Sequence, residues 1–253
     1  MNFNKIMLLN RRQWRENNRS YGIGLLAITG ILLFLFLIVW HWRDSFAGDA
    51  HRGIFLIGLF AGGCIFGSSL LQDVIHPAKG MWLTGIPASA GDKLSISVMY
   101  ATILYSGAYV SLFYITEGFF SWLIKRDGSP VEHTNLLHNG FYNFLFTFIN
   151  FQLFVLLGSL SFKKGALAKT ILLMILYFAI FYNGNNYLLM LMTGEKSIDG
   201  SGIYNYFQFR HGGENVYVYL PDSVQTIVSI FSNYLLPVIL YYIIYEKFRE
   251  TEI

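Results

Sequence analysis

Residues 21–42 read YGIGLLAITGILLFLFLIVWHW and contain no Asp, Glu, Lys or Arg. A helix needs about 20 predominantly apolar residues to cross the ~30 Å hydrocarbon core of a bilayer, so this stretch predicts a membrane span. The composition agrees, because 54% of the 253 residues are hydrophobic and only 13% are charged. That charged share is about half of the usual value for soluble domains. The chain is therefore predicted to be an integral membrane protein.

Further charge-free runs predict a total of six spans, at residues 21–42, 54–72, 94–116, 141–162, 170–192 and 223–245. The fifth run is interrupted by the sequence NGNN at residues 183–186. A helix that unwinds there is tolerated only where its backbone is buried in protein or lines a cavity. We expect an all-α integral membrane protein with a single transmembrane domain over residues 1–253.

The segment before the first span is amphipathic. Phe3, Met7 and Trp14 fall near one face of a helix, and the rest of the segment carries the basic side chains Arg11, Arg12, Arg15 and Arg19. This pattern predicts an interfacial helix over residues 1–20 that lies on anionic lipid. An ordinary cytoplasmic tail with basic residues is the alternative.

Lysine and arginine predict the orientation. With six spans, 12 of the 18 basic residues fall on the side of both termini: Lys5, Arg11, Arg12, Arg15, Arg19, Lys79, Lys93, Lys163, Lys164, Lys169, Lys247 and Arg249. Because cytoplasmic loops carry the excess of Lys and Arg, both termini and the loop at residues 73–93 are predicted to be cytoplasmic. Residues 193–222 are then exterior. Their aromatic residues fit either a re-entrant segment in the interface or a short hairpin.

The residue types needed for catalysis or metal binding are not gathered in the predicted spans. The acidic residues are assigned to loops, tails and span ends, and no two of the six histidines have the i, i+4 spacing of a helical zinc site. The sequence GALAKT at residues 165–170 lacks the second glycine of a phosphate loop. We therefore predict no catalytic residue, metal or cofactor in this chain, and no nucleic-acid partner.

Small residues and amides mark other positions within the spans. Ala61, Gly62, Gly63, Gly67 and Ser68 predict close helix packing in the second span. Amide side chains in lipid need partners, so those of the fourth and fifth spans predict either helix contacts or a polar translocation path. These amides are Asn150, Gln152, Asn183 and Asn185.

The cytoplasmic loop at residues 72–93 reads QDVIHPAKGMWLTGIPASAGDK. It resembles the P-A-S-x-x-E-K stretch between the second and third spans of permease subunits of the ABC-2 type transporter family, in particular short forms from Bacteroidetes-like bacteria. Pro87, Ala88, Ser89 and Lys93 match the motif, and Asp92 stands where glutamate is usual. The order of the spans, the basic N-terminal segment and the long exterior segment before the last span are similar as well.

The resemblance implies an ABC-2 (type V exporter-like) architecture in a bacterial cytoplasmic (inner) membrane. The permease would work as a homodimer or heterodimer with a separate ATP-binding subunit, which would hold ATP and Mg. The loop would contain a coupling helix that contacts this subunit through Trp82, Pro87, Ala88, Ser89, Asp92 and Lys93. The implied function is ATP-driven transport, with export as the expected direction. A membrane-embedded enzyme and a structural or sensory membrane subunit are the alternatives.

Overall fold

The structure, a computed structural model, describes residues 3–41, 48–75, 88–126, 141–162, 164–193, 198–202, 206–211, 214–219 and 221–252. Its helices are α1 (Phe3–His41), α2 (Gly48–Ile75), α3 (Ala90–Met99), α4 (Tyr105–Arg126), α5 (Phe141–Ser161), α6 (Ala166–Thr193), α7 (Asp222–Ile230) and α8 (Leu236–Glu252). Two π-helical turns, Tyr100–Leu104 and Phe231–Leu235, join α3 to α4 and α7 to α8. The described residues are nearly all helical.

Six helices among the described residues are long and apolar enough to cross a membrane: Met7–His41, Ala50–Leu71, Ala90–Lys125, Phe144–Ser161, Ala166–Gly184 and Asp222–Glu250. This confirms the predicted number of spans and the class of multi-pass helical membrane protein. Internal contacts divide the chain into two compact units. Unit 1 comprises Met1–Leu167 and Leu240–Ile253, and unit 2 comprises Ala168–Ile239. The single transmembrane domain over residues 1–253 stays a prediction.

The N-terminal segment and the first span form one helix. The prediction placed a separate interfacial helix at residues 1–20, but α1 runs without a break from Phe3 to His41. Each helix terminus leaves four backbone groups without intrahelical partners, and residues 15–25 contain no proline to end the helix. A continuous helix is therefore lower in free energy for this stretch than two helices with a break between them.

The third span is longer than predicted at both ends, because its helix includes Asp92 and Lys93 at the start and continues through Glu117. The span extends from Ala90 to Lys125, whereas the predicted one covered residues 94–116. The prediction that Glu117 begins an exterior loop is wrong, since Glu117 lies within α4 and is only 2% exposed. The side chain of Glu117 contacts His51 of α2, and this pair is described with the candidate site.

Unit 2 differs from the prediction in two places. The NGNN sequence at residues 183–186 does not unwind the helix: α6 is continuous from Ala166 to Thr193, and Asn183 Nδ2 donates to the Ala179 carbonyl at 2.7 Å. The segment at residues 193–222, which was predicted to be exterior, contains a three-stranded antiparallel sheet in the order β1 (Ile198–Gly202), β2 (Tyr206–His211) and β3 (Glu214–Tyr219). The hairpin is thus the correct alternative for this segment, and the all-α prediction holds apart from this sheet.

An aromatic core holds α1, α2, α4 and α5 of unit 1 together. Phe36 stacks on Phe120 with ring centroids 5.5 Å apart, and Phe55 meets Phe113 edge-on at 5.0 Å. The hydroxyl of Tyr109 donates to the Phe55 carbonyl at 3.0 Å. This bond satisfies the polar end of an otherwise buried ring, as apolar surroundings require.

Glycines of α2 allow its neighbours to approach closely, as the sequence predicted. A Cβ atom at Gly62 would collide with the hydroxyl of Tyr105, and one at Gly63 or Gly67 would collide with the amide of Gln152. The packing prediction is confirmed for these three glycines, whereas Ala61 is exposed. Ser68 is buried and donates to the Ile65 carbonyl of its own helix at 2.9 Å.

Candidate functional site

The start of α3 carries the described part of the predicted ATPase contact. Ser89 has an extended backbone, with φ −68° and ψ 151°, and its Oγ accepts a hydrogen bond from the Asp92 amide at 3.2 Å. Asp92 lies in the first turn, where its charge complements the helix dipole. Ser89 is therefore the N-cap of the helix that becomes the third span. Trp82 and Pro87 lie outside the described residues.

The motif residues at this helix start divide between the surface and the interior. Ser89 is exposed, and Ala88 and Asp92 are half-buried. Lys93 is only 7% exposed and packs on the inner side of the helix next to the fully buried Leu94. Of the predicted contact residues that the structure describes, Ala88, Ser89 and Asp92 are accessible at the helix start, whereas Lys93 lines a cleft between helices.

This cleft lies between α1, from Leu9 to Ile31, the C-terminal half of α2 and the third span from Lys93 to Ala108, with Phe248 of α8 at its edge, and it has a volume of about 1160 Å³. We call it the α1 cleft. Its polar end is lined by Arg12, Gln13, Glu16, Asn17, Lys93 and Ser97. Its apolar end is lined by residues that include Gly24, Ile28, Ile31, Ile65, Phe66 and Ala108. The α1 cleft is thus amphipathic along its length.

Side-chain hydrogen bonds are formed along and beside the polar end of the α1 cleft. Arg12 Nε donates to a Glu16 carboxylate oxygen at 2.6 Å, and Gln13 Nε2 donates to the Tyr21 hydroxyl at 3.0 Å. The hydroxyl of Tyr100 in the π-helical turn donates to Asn10 Oδ1 at 2.7 Å. The bond from Tyr100 joins the third span to α1 at the level of the polar end. The first two bonds lie within α1 and hold polar side chains that line the cleft.

The amides of the predicted translocation path divide between the two units, with Asn150 and Gln152 in unit 1 and Asn183 and Asn185 in unit 2, and the path stays a prediction. Gln152 is fully buried against Gly63 and Gly67, and among the described residues neither its Nε2 nor its Oε1 has a hydrogen-bond partner. Asn150 is half-buried on the same helix. Asn183 is exposed in unit 2, and the side chain of Asn185 lies outside the described part of the chain. The contacts of Gln152 support the helix-packing alternative for this residue.

A buried ionisable pair is the feature that the sequence analysis missed. His51 Nδ1 lies 3.1 Å from a carboxylate oxygen of Glu117, with side-chain exposures of 0% and 2%. The ring of Phe36 is 5.3 Å from the His51 ring and closes one side of the pair. Because ionisable groups inside a membrane are costly, such pairs commonly mark functional positions. The signal that the sequence offered is that His51 lies just before the second predicted span and Glu117 just after the third.

The described residues contain no further cluster of metal-binding side chains. No three His, Cys, Asp or Glu side chains of this part of the chain lie close enough together to hold a metal ion.

Comparisons of the chain with protein-family models, with curated proteins and with solved structures found no match. The functional assignment therefore depends on the residues and the geometry described above.

Proposed function

We propose that this chain is the membrane-spanning permease subunit of an ABC-2 type transporter, which a separate ATP-binding subunit powers for export. The observation that carries the proposal is the start of the third span. The motif residues Ala88, Ser89 and Asp92 are accessible at a capped helix terminus. From that terminus a continuous helical segment of 36 residues, Ala90–Lys125, is long enough to cross the membrane.

The mechanical consequence follows from the continuity of this segment. An α-helix rises about 1.5 Å per residue, so 36 residues extend over roughly 54 Å. A displacement applied at Ser89 by a docked subunit would be transmitted along the helix axis to the aromatic core at Tyr109 and Phe113. ATP and Mg would be bound by the partner, and residues of this chain would transmit motion without making or breaking bonds.

Co-expression with an ATPase encoded beside this chain tests the proposal. The two proteins should co-purify, and the membrane subunit should stimulate ATP turnover in proteoliposomes. Trp82→Ala and Asp92→Ala should reduce that stimulation several-fold. Asp222→Ala is a matched control, because Asp222 is also an acidic residue in the first turn of a helix. Equal stimulation by the Asp92 and Asp222 variants, or no complex at all, would contradict the proposal.

The His51–Glu117 pair favours a second candidate function, proton-coupled transport, because buried carboxylate and imidazole groups are the usual elements of membrane proton relays. This function predicts solute movement driven by an imposed pH gradient in vesicles without ATP. Glu117→Gln should abolish that movement. The ATP-driven function predicts no such gradient-driven movement in the absence of the partner subunit.

A further inference from the structure

The α1 cleft has the dimensions of one leaflet of a bilayer. The apolar sequence of α1 begins at Tyr21, and the lining of the cleft on this helix ends at Ile31. Ten residue steps at ~1.5 Å correspond to about 15 Å, which is half of the ~30 Å hydrocarbon core. The apolar end of the cleft therefore extends from the membrane surface to about the middle of the membrane.

Aromatic residues mark the same membrane surface independently. The rings of Trp14, Tyr21 and Tyr100 form a chain with centroid distances of 5.9 Å and 5.7 Å, at the junction of the polar and apolar ends. Trp and Tyr are enriched at the level of the lipid headgroups. The polar end of the cleft is then at the depth of the headgroups, and the apolar end is at the depth of the acyl chains.

The charges of the polar end favour an anionic headgroup. The described residues that line it include two cationic side chains, Arg12 and Lys93, and one acidic side chain, Glu16. The exposed Arg11, Arg15 and Arg19 of α1 add positive charge nearby. A second copy of this chain would bring the same positive surface to the cleft, so the charge favours an anionic lipid over self-association.

We propose that the α1 cleft binds an anionic phospholipid of the adjacent leaflet, with its phosphate at Lys93 and Arg12 and an acyl chain along Gly24, Ile28 and Ile31. Lys93 is suited to this role because its side chain lines the polar end of the cleft and is only 7% exposed. Gln13, Asn17 and Ser97 supply neutral hydrogen-bonding groups to the headgroup. The lipid would join the N-terminal part of α1 to the start of the third span.

The glycine at position 24 permits a direct test. A Cβ atom at Gly24 would meet no atom within 4 Å, and Gly24 lines the cleft. Gly24→Phe should therefore fill the acyl part of the cleft without disturbing the helices. Gly22 has equal space around its Cβ but does not line the cleft, so Gly22→Phe is the matched control. Lys93→Gln removes the headgroup charge, and Lys164→Gln is its exposed control.

Native mass spectrometry of the full-length, delipidated protein, titrated with phosphatidylglycerol or with phosphatidylcholine, measures the binding. Phosphatidylglycerol should occupy one tight site on the unmodified protein. Phosphatidylcholine should bind to the same protein at least about tenfold more weakly. Phosphatidylglycerol should likewise bind to the Lys93→Gln variant at least about tenfold more weakly than to the unmodified protein. Gly24→Phe should lose the site, and both controls should keep it. Glycerophosphoglycerol, which is the headgroup without acyl chains, should not bind.

Several results would overturn the proposal. Equal binding of the two lipids would show a lipid-solvated surface without headgroup recognition. Equal affinity in Lys93→Gln and Lys164→Gln would remove Lys93 from the site, and this comparison does not depend on the folding of Gly24→Phe. A loss of dimer mass in Gly24→Phe with unchanged lipid binding would identify the cleft as an interface between copies of the chain.

Discussion

The buried His51–Glu117 pair should be strongly coupled in folding stability. Glu117→Leu and His51→Leu each remove one member and leave the other in the apolar interior without this partner. The double variant replaces both with apolar side chains. Because His51 and Glu117 are 0% and 2% exposed, water cannot readily replace the lost contact in either single variant.

The expected magnitudes follow from this burial. Removal of one member of a buried pair costs about 3–5 kcal/mol, whereas replacement of the whole pair with well-packed apolar residues is often close to neutral. A hydrogen bond that involves a charged group contributes about 1.5–3 kcal/mol. We therefore expect each single variant to lose about 3 kcal/mol and the double variant to lose much less than their sum of about 6 kcal/mol, so that the double-mutant cycle gives a coupling energy of between about 2 and 6 kcal/mol.

Reversible unfolding in mixed micelles, followed by tryptophan fluorescence, provides the measurement, since the chain has five tryptophans. Glu250→Leu is the control, because Glu250 makes only an exposed i, i+3 contact with Lys247 at 2.8 Å. Its effect should stay within about 0.5 kcal/mol. The reasoning is refuted if the two single effects add within about 0.5 kcal/mol, or if Glu117→Leu is no more harmful than the control.

Three further outcomes are expected in the same unfolding assay. Gly63→Ala should destabilise the protein by about 1–3 kcal/mol through its collision with Gln152 and Phe148, whereas Gly53→Ala, with open space around its Cβ, should be neutral or stabilising. Gln152→Met should cost less than about 1.5 kcal/mol, because it conserves volume and removes two buried polar atoms that lack protein partners among the described residues. A larger loss would indicate a bound water or ligand at this amide. Ser89→Ala should cost about 1 kcal/mol through the lost N-cap, and Ser89→Asp should retain the cap.

The elements of the fold were largely predictable from the sequence. Each span is a long apolar run, and the transfer of such a run into lipid depends on its own residues and not on its neighbours. The cap at Ser89 was also predictable, because an N-cap bond is made within one helical turn. The boundaries at Ser20 and Glu117 were not, since a helix continues through polar residues when these find partners or reach the membrane surface.

The candidate site was predictable only in part. The motif at Ala88, Ser89 and Asp92 could be located from the sequence, and the structure places these residues accessibly at a helix start. The burial of Lys93 could not be predicted, because it depends on how α3 is rotated against α1 and α2. In the same way, the contact of Gln152 with Gly63 and Gly67 depends on how α5 is rotated against α2.

The sequence by itself determined that this is a six-span helical membrane protein with closely packed glycines in its second span. Hydropathy and small-residue patterns are local properties of the chain, so they can be recognised without knowing which helices pack together. Only the tertiary structure brought together His51 and Glu117, which are 66 residues apart, and only it formed the amphipathic α1 cleft. Both features depend on the relative rotation and depth of packed helices, which periodicity within one segment does not specify.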